Sequence, residues 1–537
     1  MDKNEDSDSN RTFKTGSGKP VKAQYGPEDL KDWNFDEKVG QPGQYPFTRG
    51  VHPEMYRART WTRRQVVGLG TAVETNERNR YVIENGQTGI SNDYDVPTLI
   101  GLDSDDPLAK GEVGRMGVAI DTLQDMRDLL DGIDLNRISV SQTINPPAPI
   151  LLGMFVATAQ ERGYKLENMA GTSQNDALKE FYAQKTFVFP PRPQVRFTCD
   201  VVEYCSRRMP RWNGVNINGY NIREAGATAA QEMAYAFSQA VTYFEDLISR
   251  GLDIDEVAPR FSFIFQVHND FFEEIAKFRA GRRYWARMLK ERFGAKDPKS
   301  WRMRMHVQTA GSTLTYQQPE VNIVRGTIQA LAGACGGVQS MAVASYDEAL
   351  SIPSEKAHRL SLRTQQVIIH ESGVCNTVDP LAGSYFVETL TNQIEEEIDD
   401  WIRQIDNRGG ALACVESGWL EQNVSDFAHQ YQTEIATRER IVVGVNQYVM
   451  ENEEYDVQTF RVGDESELEQ LRRLAKVKES RNRADVDAAL DRLRHTAAAG
   501  ENIMEDVIRA VKVMATEGEM ISAMAEIVGR HKASAIV

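Results

Sequence analysis

The 537-residue sequence predicts an α/β fold, a closed (β/α)8 TIM barrel over residues 61–409 with an extended N-terminal arm and a mainly helical C-terminal region. Three observations predict it. Short strand-like stretches alternate with longer helix-like ones from about residue 60 to 405, which implies parallel strands joined by helical crossovers. The chain is longer than one simple core covers. After Gly409 the pattern changes to charged stretches whose apolar residues recur at close to helical spacing.

Taken in order, residues 1–24 are polar and mixed in charge and read as a disordered arm. They lack the apolar core of a signal peptide. Residues 25–60 scatter Pro, Gly and aromatic residues and read as an extended segment lying on something larger. Strands are expected at 88–93, 137–143, 215–218, 261–268, 303–308 and 338–344. Helices are expected at 149–162, 227–249, 271–292 and 356–370. Residues 410–537 are expected to pack as amphipathic helices on the barrel or on a partner.

Several expected strands are not the continuous apolar runs of a parallel sheet buried on both faces. Ser139, Ser141 and Thr143 share one face by their period of two, as do Ser262, Gln266 and His268, and Arg302, Arg304, His306 and Gln308. Asn216 and Asn218 share another. If the opposite faces meet the helices, these groups point into the barrel. A dry interior would leave them unsatisfied at a large cost, so a polar, extended ligand is expected there. The alternative is that some of these segments are one-sided strands outside a barrel.

Composition narrows the function. A net charge of −16 argues against nucleic-acid binding. Five cysteines without a CxxC pair argue for ordinary thiols in a reducing cytoplasm. No apolar run is long enough for a transmembrane helix.

A series of motifs then carries a resemblance. It comprises YPFTRG (45–50), MYRARTWTRRQ (55–65), NGQTGIS (85–91), LDSDDP (102–107), GVAIDTLQDM (117–126) and GTSQNDALKEF (171–181). It continues with INGYNIREAGAT (217–228), APRFSF (258–263), YDEAL (346–350), DPLAGSYFVE (379–388) and VGVNQY (443–448). In this order and spacing the sequence resembles the methylmalonyl-CoA mutase superfamily. The resemblance implies a barrel threaded by the pantetheine arm of a CoA ester. It implies a radical carbon-skeleton isomerisation dependent on adenosylcobalamin. The family's cobalamin domain carries a DxHxxG motif, which does not occur here. A separate cobalamin-binding small subunit is therefore expected to ligate the cobalt and cap the barrel, in a heterotetramer of two large and two small subunits. A G-protein chaperone that loads the cofactor is common in the family.

The resemblance also assigns residues. CoA contacts fall on Arg59, Ser91, Ser141, Thr143, Gln174, Arg260 and Ser262. The cobalamin-facing positions are Tyr94, Gln308, Glu348 and Ala349, and the catalytic ones Tyr220 and Asn221. In the acyl pocket, Gln184 stands where the methylmalonyl enzymes carry a carboxylate-gripping Arg, and a neutral amide compensates a buried carboxylate poorly. Val66 replaces a bulkier aromatic residue. Asp93 offers an acceptor for a substrate hydroxyl, a contact that discriminates strongly. Together they imply a hydroxyacyl-CoA substrate of the 2-hydroxyisobutyryl-CoA/3-hydroxybutyryl-CoA type. An isobutyryl-CoA or other branched acyl-CoA mutase is the alternative. Two departures are notable. The family's GYH reads Gly219–Tyr220–Asn221, and its SLHTN reads Ser340–Met341–Ala342–Val343–Ala344. The loss of His at 221 leaves open a non-catalytic subunit that binds acyl-CoA or a mutase partner.

Overall fold

The computed structural model describes residues 13–450 and 461–532. Among these, ten strand segments form two parallel sheets. They are β1 (Thr62–Arg63), β2 (Val66–Val67), β3 (Gly89–Asn92), β4 (Ser139–Gln142), β5 (Gly171–Ser173), β6 (Trp212–Asn213), β7 (Val215–Asn218), β8 (Phe261–Val267), β9 (Met305–Thr309) and β10 (Ser340–Ala342). One sheet runs β1–β10–β9–β8–β7 and the other β2–β3–β4–β5–β6. β1 leads into β2 after two residues, and β6 into β7 after Gly214, so each sheet ends on a strand whose continuation belongs to the other. Backbone bonds cross both seams. Thr88 N donates to Arg63 O at 3.1 Å, and Asn216 N to Gln174 O at 2.8 Å.

A helix follows nearly every strand: Ala72–Glu84, Leu123–Leu129, Ala148–Glu161, Pro191–Arg208, Ala229–Ser249, Phe271–Glu291, Val321–Cys335 and Glu355–Glu371. Their starts are written locally. Thr71 and Thr228 cap with a reciprocal Glu74 or Gln231 three residues on, and Asp270 accepts from Glu273 N. Their apolar faces fill two cores. One lies behind β7–β10, with Phe237, Phe244, Phe263 and Trp285; the other lies behind β2–β6, with Phe155, Phe197 and Trp212.

The six expected strands and four expected helices are present with ends moved by one or two residues in most cases. β1, β2, β5 and β6 were not expected, nor were the helices Ala72–Glu84, Leu123–Leu129, Pro191–Arg208 and Val321–Cys335. Residues 1–12 of the expected arm lie outside the described residues. Residues 13–20 lie on the Phe271–Glu291 helix start: Gly16 N donates to Asp270 Oδ2 at 2.7 Å and Ser17 N to Glu273 at 3.1 Å. Beyond residue 410, the Met504–Lys512 helix packs on Ala148–Glu161, and the Asp464–Ser480 helix reaches Asp121 through Gln470. No helix among the described residues is long and apolar enough to cross a membrane.

Candidate active site

The strands' polar faces converge on a cavity of about 640 Å³. Register makes this predictable row by row. Val66, Ser91, Ser141 and Thr172 stand opposite one another across β2–β5, and Ile264, His306, Ser340 and Thr62 across β8, β9, β10 and β1. All eight line the cavity. On β9 the alternate residues Met305, Val307 and Thr309 are buried, and Val307 packs in the core behind β7–β10.

At the N-terminal ends of the strands the cavity is basic. Arg64 donates to Ser139 Oγ at 2.5 Å, and Arg304 to Asn213 Oδ1 at 2.9 Å. Burial pushes both guanidiniums down to about 10, and neither has a carboxylate within ion-pair distance among the described residues. His306 shares a 2.8 Å bond with Ser340 Oγ and is pushed down to about 3 by burial, so it is neutral. A cation held this way gains from an incoming anion.

At the C-terminal ends sit the residues expected for the acyl pocket. Val66, Asp93, Gln184, Tyr220 and Asn221 line one space. Asp93 follows β3; the Thr143 hydroxyl donates to its Oδ1, and burial raises its carboxyl above the ordinary range. Tyr220 and Asn221 lie in the first turn of the Gly219–Glu224 helix. Asn218 caps that helix, accepting from Asn221 N at 2.8 Å. A Cβ on Gly219 would lie 2.6 Å from the Phe265 ring, so only glycine lets the helix begin there.

Tyr94, Gln308 and Glu348 line the same cavity. Gln308 Nε2 donates to the Tyr220 hydroxyl at 3.3 Å, and burial pushes the Glu348 carboxyl up to about 7. Ala349 faces a neighbouring cavity of about 600 Å³, which shares Val66, Asp93, Gln308 and Glu348 with the first. Of the expected CoA contacts, Ser91, Ser141, Thr143, Gln174 and Ser262 line the cavity. Arg59 is exposed just before β1, and Arg260 is half-buried just before β8; neither is part of the lining.

The sequence did not point to Arg64, Glu224 or Lys179. Arg304, expected to face the interior with His306 and Gln308, does so, and Arg64 joins it in the lining. Glu224, one helical turn beyond Tyr220, accepts from Gln266 Nε2 and from Ser312 N at 2.8 Å. Its signal was the i, i+4 spacing from Tyr220. Lys179 is fully buried beside the amides of Gln184 and Asn221.

The family described as Methylmalonyl-CoA mutase matches residues 14–530. The chain is 45% identical over 521 residues to the 2-hydroxyisobutanoyl-CoA mutase large subunit of Aquincola tertiaricarbonis, covering 97% of this chain and 92% of that one. It is 39% identical over 526 residues to the methylmalonyl-CoA mutase of Cereibacter sphaeroides, covering 97% and 73%. It is 40% identical over 522 residues to the mitochondrial methylmalonyl-CoA mutase of Homo sapiens, covering 97% and 69%. A parallel α/β scaffold around a polar cavity with two arginines free of carboxylate partners among the described residues suits a phosphorylated ligand. The chain belongs to the methylmalonyl-CoA mutase family, whose members are adenosylcobalamin-dependent isomerases.

Proposed function

We propose that this chain is the large, substrate-binding subunit of a coenzyme B12-dependent mutase that isomerises a hydroxyacyl-CoA of the 2-hydroxyisobutyryl/3-hydroxybutyryl type. The observation that carries the reading is the acyl end of the cavity, where the Asp93 carboxylate, the Gln184 and Asn221 amides and the small Val66 face one space. Asp93 accepts the substrate hydroxyl, and Val66 leaves room for a branched carbon. Gln184 offers no formal charge to a second carboxylate, which disfavours a dicarboxylic acyl group.

In this reading the two sheets are one (β/α)8 barrel, because β1–β2 and β6–β7 are each one bent strand and the strands then number eight. The pantetheine lies along Ser91, Ser141, Thr143, Gln174 and Ser262, and Arg64 and Arg304 meet the phosphorylated end. Asn221 Nδ2 donates to the thioester carbonyl, with Tyr220 packed beside it over the reacting carbons.

The residues at the mouth fit the adenosyl group of the cofactor. A Cβ on Gly311 would lie 3.3 Å from the Tyr220 hydroxyl, 3.4 Å from Glu224 Oε2 and 3.7 Å from Glu348 Oε1, so the glycine leaves a polar cradle. Glu224, Glu348 and Gln308 would hold sugar hydroxyls there, and Tyr94 and Ala349 would face the corrin side. When bound, the cofactor supplies a radical by homolysis of its cobalt–carbon bond. The chain binds and orients the ester and excludes water. A separate small subunit is supported by the "large subunit" in the Aquincola relative's name; cobalt ligation by that subunit, two of each, and a G-protein chaperone in the cytoplasm complete the reading.

Asp93→Ala tests the assignment. Turnover of 2-hydroxyisobutyryl-CoA is expected to fall at least about 100-fold, as for a site that loses a buried hydrogen bond to its substrate. Turnover of isobutyryl-CoA, if any, should change little. Equal losses on both esters would contradict the role given to Asp93.

A further inference from the structure

We propose that Lys179 is the positioning residue that fixes both pocket amides as hydrogen-bond donors. This rests on the reading of the cavity as an acyl-CoA site. Lys179 precedes the Gln184 turn and its side chain is fully buried. Its ammonium has three donors, and three oxygens surround it. They are Glu180 Oε1 at 2.9 Å, Asn221 Oδ1 at 2.9 Å and Gln184 Oε1. Asn218 Nδ2 adds a second bond to Asn221 Oδ1 at 2.6 Å. Glu180 is held in turn by Asn145 Nδ2 at 2.6 Å and by Thr186 N at 3.2 Å.

An amide is ambidextrous, since its oxygen accepts and its nitrogen donates. Free in a pocket, it turns to suit either kind of ligand. Here one buried cation draws both amide oxygens to itself, and the flip that would present an oxygen to the ligand would aim an NH2 at an ammonium. Both NH2 groups therefore face the cavity. The site offers donors at 184 and 221 and an acceptor at Asp93. A thioester carbonyl matches the first, and a hydroxyl the second. The same ammonium adds an attraction that lowers the raised carboxyl of Asp93. The pattern also gives Asn221 a defined task in place of an imidazole, as a fixed donor with no proton to exchange.

The test uses four ligands on the full chain, by titration calorimetry. They are 2-hydroxyisobutyryl-CoA, isobutyryl-CoA, and the two thioethers in which CH2 replaces the carbonyl. In Lys179→Met the affinity for both esters is expected to fall about tenfold, the scale of one well-made hydrogen bond. The thioethers, which have no carbonyl to receive the donor, should stay within about twofold. Equal losses on ester and thioether, or no loss on either, would overturn the proposal. Asn221→Asp is the second variant and decides the matter if Lys179→Met does not fold. It keeps an acceptor for Lys179 but turns an oxygen toward the ligand, so the same selective loss is expected, and an unchanged ester preference overturns the proposal. The hydroxyl comparison in the unaltered chain reports separately. A missing hydroxyl preference sinks the hydroxyacyl reading while the carbonyl comparison still judges Lys179.

Discussion

Asp93 joins the two chemistries of the pocket, and its titration can be followed. Burial raises its carboxyl, and the Thr143 hydroxyl and the Lys179 charge pull it back. The charged form is the better acceptor for a substrate hydroxyl. Preference for hydroxyacyl over unsubstituted esters should therefore be full at high pH and fade on acidification, with a midpoint above the ordinary 3.8 of an aspartate. Thr143→Val removes a bond that favours the charge, so that midpoint should move up. Affinity ratios for the two esters across pH check both statements, and a midpoint that moves down would contradict them. Val66, Asp93, Gln184 and Asn221 were legible because motifs fix their places on strand ends and turns. Lys179 and Glu224 were not, because a lone charge within a helical pattern reads as solvent-facing. Their burial comes from strands far away in sequence. Arg64 was hidden in a run of two arginines, of which only one turns inward.

At the scale of elements, the strand-to-helix turn at β7 sets the position of Tyr220 and Asn221. Asn218→Ala removes the cap and one of the two bonds to Asn221 Oδ1. Stability should fall by roughly 1 kcal/mol, and ester affinity should fall with it. Chemical denaturation and calorimetry measure the two effects, and a stable variant with unchanged affinity would refute the role of the turn. Gly311 concerns the other side of the cavity. Gly311→Ala fills the cradle beside Tyr220 and Glu224. Adenosylcobalamin binding to the complex should weaken while CoA-ester binding persists. β3, β4 and β7–β10 could be read from alternation or apolar runs. β1, β2 and β6 are two residues long, too short for any period to register, and the three residues of β5 lack the apolar residues that follow the equally short β10. The register of their neighbours defines them.

Across the whole molecule, the C-terminal helices close over the second core and trap acidic groups in the seam. Asp95, Asp103, Asp121, Asp125 and Glu517 are all buried there, and burial raises each carboxyl. Neither oxygen of Glu517 has a hydrogen-bond partner among the described residues. A raised carboxyl keeps its proton in the folded chain after the unfolded chain has released it. Stability is then highest below the ordinary 4.5 of a glutamate and declines as pH climbs toward the raised value, as far as Glu517 is concerned. Glu517→Gln should raise the thermal midpoint at pH 8 and flatten its pH dependence; a lower midpoint would contradict the seam's description. The sequence showed the change of character near residue 410, but the seam's charges become neighbours only once residues 95–125 and 464–517 meet. The substrate is decided by turnover. The most direct measurement is an isomerisation assay of the chain with its cognate small subunit and adenosylcobalamin. It would offer 2-hydroxyisobutyryl-CoA, both 3-hydroxybutyryl-CoA enantiomers, isobutyryl-CoA and methylmalonyl-CoA in parallel. Turnover of hydroxyacyl esters far above the others is expected, and preferred turnover of methylmalonyl-CoA would contradict the hydroxyacyl assignment.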